Sequence, residues 1–262
     1  MTVNFKKLLV VALAAGGCAI ASPVGTLGIG STGVVNATLT SILFTPDAGF
    51  LGTCPGGTTC NGDVNSGTTL TFNGGPLTLN EGILINGGLP FGSAPPPGAT
   101  IFNPFLQFAI HSNLTFTVLG IDAGSLNTDC AAASAFNGGT CSILEGGTPS
   151  PVILQRNGTN TVVSISLFGI ASDGSGLSSN WTGGFSATIP NTTPLAIEQF
   201  FCGTDAVCTP AEIANSPTLV VRSTSGSFFA NAVPEPNTPA MLGGGLLLLS
   251  LALRRIKKQQ VS

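Results

Sequence analysis

Apolar and polar residues alternate with a period of two along much of residues 22–232, which is the pattern of half-buried β-strands. The first run covers residues 34–44. Later runs cover residues 68–72, 82–85, 101–110, 113–121, 152–155, 161–170, 184–189, 219–223 and 227–232. About ten short strands at this spacing predict an all-β fold, an antiparallel β-sandwich of jelly-roll-like form.

Turn residues separate these runs. Asn73-Gly74 and Asn86-Gly87 end two of them, and residues 156–160 form an Asn-Gly-containing turn between two others. Residues 101–110 and 113–121 are expected to form either a hairpin over His111 and Ser112 or a longer bent pair.

Two short helices interrupt the strand pattern. One is expected to begin at Thr193-Pro194, and the other at Thr209-Pro210. The second start combines an N-cap threonine, proline at the first helical position and Glu212 placed for a capping box.

Composition favours a packed domain over a disordered chain. Hydrophobic residues make up 43% of the 262 residues and charged residues only 7%, whereas disordered chains are typically charged and poor in apolar residues. No fixed-period repeat occurs, so residues 22–232 are predicted to form one domain.

The N-terminus has the pattern of a secretory signal peptide, assigned to residues 1–21. Lys6 and Lys7 precede an apolar run over residues 8–15, and Ala19-Ile20-Ala21 is a small-x-small cleavage site. Lipoprotein processing at Cys18 is the alternative that the sequence leaves open.

The C-terminus, residues 233–262, combines a Pro-Glu-Pro motif (Pro234, Glu235, Pro236), an apolar run over residues 239–253 and a basic end. Fifteen helical residues extend about 23 Å, less than the roughly 30 Å of a bilayer core, which suits a transient span. The basic residues that stop translocation are Arg254, Arg255, Lys257 and Lys258.

This tail resembles the PEP-CTERM sorting signal of Gram-negative bacteria. The resemblance implies export by the Sec machinery, transient anchoring in the inner membrane by a C-terminal hydrophobic helix, and processing by an exosortase. It also implies a final location at the cell surface or in an exopolysaccharide-rich biofilm matrix. Residues 105–189 look, more loosely, like the body of other proteins with this tail, which implies no activity.

Charge is distributed very unevenly. The body between the two terminal segments contains two basic residues, Arg156 and Arg222, and ten acidic residues, so its net charge is −8. Nucleic-acid binding depends on Lys and Arg at phosphates, so that class of partner is excluded.

Six cysteines follow the signal peptide in three close pairs: Cys54 with Cys60, Cys130 with Cys141, and Cys202 with Cys208. Six cysteines allow fifteen connectivities, but neighbour pairing closes three small loops and suits an oxidising compartment. Zinc sites need shorter spacings, so structural disulfides are predicted.

Residues for catalysis are scarce. His111 is the only histidine, no Gly-x-Ser-x-Gly motif accompanies it, and the carboxylates lack the aromatic platform of sugar-cleaving enzymes. Trp181, the only tryptophan, is the candidate sugar contact, although a core position is the more common role of such a residue. No catalytic residue is assigned.

No cofactor is predicted, but a structural calcium ion stays open. Residues 61–67, 122–129 and 173–176 form oxygen-rich loops, none of which completes an EF-hand.

The sequence therefore predicts a non-enzymatic, disulfide-braced surface or matrix protein. The alternatives are a carbohydrate- or calcium-binding adhesive module and, less favoured, a secreted hydrolase that uses His111.

Overall fold

The computed structural model describes residues 22–46, 53–86, 88–90 and 101–232. The predicted signal peptide at residues 1–21 and the sorting segment at residues 233–262 lie outside these ranges. Within them, no helix is long and apolar enough to cross a bilayer.

The described part is mainly β-structure with three short helices. The strands are β1 Gly25–Ala37, β2 Ser41–Thr45, β3 Gly62–Asp63, β4 Gly82–Ile85, β5 Gly88–Pro90, β6 Phe102–Phe108, β7 Thr115–Ile121, β8 Thr140–Cys141, β9 Leu144–Glu145, β10 Thr148–Pro149, β11 Ile153–Asn157, β12 Asn160–Ser172, β13 Ser178–Ile189, β14 Val207–Cys208 and β15 Leu219–Ala232. The helices are α1 Cys130–Ser134, α2 Pro194–Cys202 and α3 Pro210–Ala214.

One large sheet contains most of the strands, in the order β3-β4-β6-β7-β12-β13-β15-β1-β2-β5, with β11 and β8 added beside β12. Every pairing within it is antiparallel. A small second sheet has the order β10-β9-β14. The predicted all-β, antiparallel fold is confirmed.

The large sheet bends back until its first strands meet β1. Isolated bridges join Val24 to Thr71 and Ile29 to Val64, so the first half of β1 has partners on both sides. The backbone N–H of Asn65 donates to the Gly28 carbonyl at 3.0 Å, which extends this contact. The bend encloses one apolar core, because alternate residues of each strand point inward.

The two ends of the described body lie at one pole of the sheet. β1 and β15 are antiparallel neighbours in which Gly25 pairs with Ala230, and Ala37 pairs with Leu219 at the opposite pole. Ile189, at the end of β13, pairs with Thr161 at the start of β12, also at that opposite pole. Helices α2 and α3 connect Ile189 to Leu219, so they cap the pole away from the two ends.

Aromatic side chains fill the centre of the core. Trp181 stacks on Phe105 with ring centroids 6.4 Å apart and contacts Phe228 edge-on at 5.3 Å. Gly169 on the adjacent strand leaves room for the indole, since a Cβ there would lie 2.9 Å from Trp181 Nε1 and also too close to the Thr117 carbonyl.

Several predicted elements are confirmed. β4 covers residues 82–85 as predicted, and β6 and β7 form a hairpin over His111. β11 and β12 join through a two-residue turn in which Gly158 has φ +61°. The capping box of α3 is present, with Thr209 and Glu212 bonded reciprocally.

Other predictions were wrong in detail. Residues 34–44 form two strands, because the Thr38 hydroxyl accepts from the Ser41 N–H at 3.0 Å and turns the chain. Residues 219–232 form one strand across Gly226, where two were expected. Residues 68–72 form no regular strand, since Thr71 makes an isolated bridge to Val24 directly before β1, and helix α1 was not predicted.

Candidate functional site

A second apolar cluster lies beneath the helices at the pole opposite the two ends, and two disulfides belong to it. It contains buried Ile197 and Phe201 of α2 together with four cysteines. The Cα atoms of Cys130 and Cys141 are 5.2 Å apart, and those of Cys202 and Cys208 are 4.6 Å apart. The third predicted pair, Cys54 and Cys60, is also at disulfide distance, with Cα atoms 5.2 Å apart.

Side-chain caps position helices α1 and α2. Asp129 Oδ1 accepts from the Ala132 N–H at 2.8 Å and starts α1, and the Thr193 hydroxyl accepts from the Ala196 N–H at 3.1 Å and starts α2. The Ser134 hydroxyl at the end of α1 accepts from the Leu195 N–H at 2.9 Å. This bond fixes the first turn of α2 against α1.

A cleft of about 470 Å³ opens between α1, α2 and the loop before β14. Its apolar wall includes Leu144, Leu195 and Val207. The polar groups that line it are Thr128, Asp129, Glu198, Gln199, Thr204 and Asp205. Asp129 and Asp205 are exposed, whereas Glu198 is only 3% exposed. We call this feature the acidic cleft.

Glu198 is the buried carboxyl group of the acidic cleft. Its Oε1 atom is buried and has no hydrogen-bond partner among the described residues. Burial, and secondarily the negative charge of Asp129, raise the pKa of Glu198 to about 6. A buried, unpaired oxygen of this kind can bind a cation, accept a hydrogen bond from a ligand, or exchange a proton near neutral pH.

Glu145 is a second carboxylate with an unpartnered oxygen at this pole. It lies on β9, which pairs in parallel with β14. Burial raises the pKa of Glu145, although a hydrogen bond with Ser150 opposes the shift. Its Oε1 atom also lacks a hydrogen-bond partner within the described residues.

The only histidine lies outside the acidic cleft and is bonded to a buried carboxylate. His111 Nδ1 is 2.8 Å from Glu81 Oε2, and Glu81 Oε1 accepts from the backbone N–H groups of Ile110 and His111, both at 2.9 Å. In the described ranges, no hydroxyl group hydrogen-bonds to this imidazole. The pair therefore fixes the β6–β7 turn against the segment before β4.

Trp181 is not a sugar contact in this structure, which corrects the candidate assignment. Its side chain is 1% exposed, and its Nε1–H donates to the Thr117 carbonyl at 3.2 Å. A sugar ring cannot reach a surface that is already packed against Phe105 and Phe228. The residue fills the core instead.

The oxygen-rich loops named from sequence have mostly structural roles. Asn61 is buried and bonds through its side chain to the Phe44 and Ile85 backbones. Asp173 accepts from the N–H groups of Asn73 at 2.8 Å and Ser175 at 3.0 Å. Across the described ranges, no three His, Cys, Asp or Glu side chains come together as a metal-binding group. Asp129, from the loop at residues 122–129, does line the acidic cleft.

Glu198 was missed by sequence analysis, although a signal for it exists. Pro194 and Phe201, four residues before and three residues after it, are both buried, so helical spacing places Glu198 on the inner face of α2. A carboxylate on the apolar face of a short helix is expected either to have a buried partner or to have a functional role.

The chain was compared with protein-family models, with curated proteins and with solved structures. None of the three comparisons finds a match, so the resemblance of the C-terminal tail stays a prediction that depends on its residues.

Proposed function

We propose that this chain is an exported, exosortase-processed structural protein of the cell surface or extracellular matrix, without catalytic activity. The single observation that carries the proposal is the C-terminal tail, in which Pro234-Glu235-Pro236, an apolar run and four basic residues follow in order. The Sec machinery and an exosortase would be its processing partners, and exopolysaccharide its surroundings.

The charge pattern supports this topology. All basic residues except Arg156 and Arg222 lie in the two terminal segments, where positive charge holds a segment end on the cytoplasmic side. The body between them is anionic and has no lysine, which suits transfer across the inner membrane.

The three cysteine pairs support exposure of the body to an oxidising compartment, because disulfides persist there and are rare in the cytosol. All six cysteines of these pairs lie at disulfide distance from the expected partner. The jelly-roll-like form of the sandwich stays a prediction.

Intact-mass analysis of the protein recovered from the native cell surface tests the proposal. The expected mass lacks residues 1–21 and the apolar and basic part of the tail, and no cysteine of the three pairs reacts with a thiol reagent before reduction. A mass that retains residues 239–262, together with free thiols, would contradict both export and processing.

A second candidate function, an adhesive binding module, is favoured by the acidic cleft. Trp181 no longer supports it, but Glu198 provides a buried, unpaired oxygen in a cleft large enough for a ligand. Binding of a glycan on an array in a manner that Glu198→Gln abolishes would support this candidate over a purely structural role.

A further inference from the structure

We propose that the acidic cleft is a divalent-cation site, in which the carboxylates of Glu198 and Asp129 bind an ion such as Ca²⁺. This goes beyond the proposed function, since it depends on the cleft alone and not on the sorting tail.

The first reason is the state of Glu198. A buried polar atom normally has a partner, because leaving it unpaired costs the full desolvation of the group. Glu198 Oε1 has none among the described residues, and its side chain lines an open cleft. A cation bound in the cleft would pair with the Glu198 carboxylate and offset its repulsion with Asp129.

The second reason is the set of oxygen atoms around Glu198. Asp129 uses Oδ1 to cap α1, which leaves its second oxygen for another partner. Thr128, Gln199 and Thr204 line the same cleft and carry neutral oxygens, and Asp205 adds a third carboxylate at the exposed side. Ca²⁺ prefers carboxylate, carbonyl and water oxygens and tolerates irregular geometry, whereas no thiol or imidazole lines this cleft for a softer metal.

The third reason is that two disulfides hold the walls of the cleft. Cys130 follows Asp129 directly and is bonded to Cys141. The bond between Cys202 and Cys208 closes the loop that carries Thr204 and Asp205. Binding therefore costs little ordering of the chain, as in other preorganised sites.

The affinity should be modest. The three carboxylates do not form a compact cluster, so waters must complete the coordination of the ion. Calcium sites in extracellular modules bind at roughly 10⁻⁴–10⁻³ M, and we expect this site to lie in that range. Such an affinity is useful only where millimolar Ca²⁺ is present.

Thermal unfolding of the full chain in detergent at pH 7.5 tests the site. We expect 10 mM CaCl₂ to raise Tm by about 3–11 °C over the same buffer without CaCl₂, given binding of this strength to the folded state only. The reference sample contains KCl at matched ionic strength. Isothermal titration with CaCl₂ should give a binding isotherm that is absent with KCl.

Three substitutions make the test specific. Glu198→Gln and Asp129→Asn remove the two proposed ligand charges, and both should lose the Ca²⁺-dependent rise in Tm. Asn at position 129 keeps an oxygen that can cap α1, so the helix is preserved. Asp122→Asn, which changes an exposed acid outside the cleft, should keep the full rise.

Two results would overturn the proposal. One is an equal rise in Tm with KCl, which would show that salt merely screens the anionic body. The other is a Ca²⁺ response or titration isotherm that Glu198→Gln leaves unchanged. Neither result bears on the intact mass of the exported protein, so failure of the cation site and failure of the proposed export are distinguishable.

Discussion

Replacing Glu198 with glutamine should stabilise the protein at neutral pH in cation-free buffer. The ionised carboxylate is buried, lacks a partner for Oε1 among the described residues and lies near Asp129, so the folded state favours its protonated form. Glutamine has almost the same shape and no charge. The substitution therefore removes an electrostatic penalty with little change in packing.

The magnitude follows from the pKa. A rise from 4.5 to about 6 corresponds to about 2 kcal/mol of destabilisation when the group is ionised in both states. For a folded body of this size, 1 kcal/mol shifts Tm by about 2–4 °C, so Glu198→Gln should raise Tm by about 4–8 °C at pH 7.5.

The sign with pH follows from linkage. Because the folded-state pKa of Glu198 is above the unfolded value, the favourable contribution of the protonated form is present below pH 4.5 and is lost as pH rises through about 6. The gap in Tm between variant and wild type should shrink to about 1 °C at pH 4.5. Burial raises the pKa of Asp173, but hydrogen bonds from Ser175 and Asn73 outweigh it and lower that pKa, so Asp173 contributes oppositely, and equally in both proteins.

Calorimetric melts of wild type, Glu198→Gln and the control Asp122→Asn at pH 4.5 and 7.5, all with a chelator, measure the gap. Equal Tm values for wild type and Glu198→Gln at pH 7.5 would refute the reasoning. So would a gap that does not change with pH, because a packing effect would not titrate.

Three further predictions concern residues other than the carboxylates of the acidic cleft. Replacing Cys130 and Cys141 together by serine should destabilise the fold by about 3 kcal/mol, measured by urea unfolding, and an unchanged midpoint would show that this bond does not form. Glu81→Gln should lower the free energy of unfolding by about 2 kcal/mol, because Glu81 accepts charge-assisted hydrogen bonds from the β6–β7 turn. If the protein turned over a hydrolase substrate and His111→Ala abolished that turnover, the structural role of the Glu81–His111 pair would be contradicted. Trp181→Ala should cost about 3–5 kcal/mol and leave glycan binding unchanged, so a specific loss of glycan binding in a still-folded variant would restore Trp181 as a contact.

Local sequence signals predicted much of the fold. The alternation in residues 82–85, the Asn-Gly turn between β11 and β12, and the capping box at Thr209 each depend on neighbouring residues, and all three are confirmed. The cysteine pairs could be predicted from their spacing, because the loops that they close are short.

Long-range contacts and the burial of single residues were harder to predict from the sequence. The division of residues 34–44 depends on a turn in which the Thr38 hydroxyl accepts from the Thr40 and Ser41 N–H groups. Helix α1 is only five residues long, too short for a clear helical period. The acidic cleft joins Asp129 to Glu198, which are far apart in sequence, so its existence depends on packing that no local pattern records. The burial of Trp181 likewise depends on partners from β6, β7 and β15.

The antiparallel pairing of β1 with β15 decides what the protein would present to its surroundings. β15 ends at Ala232, next to the first residues of the body, and the tail follows Ala232 in the sequence. Leu219, at the other end of β15, follows the helices α2 and α3 in the chain. Fourteen residues of strand span about 45 Å. A molecule tethered by its tail would therefore hold the carboxylates of Glu198 and Asp129 at its membrane-distal tip, where neighbouring cells and polymers first touch it.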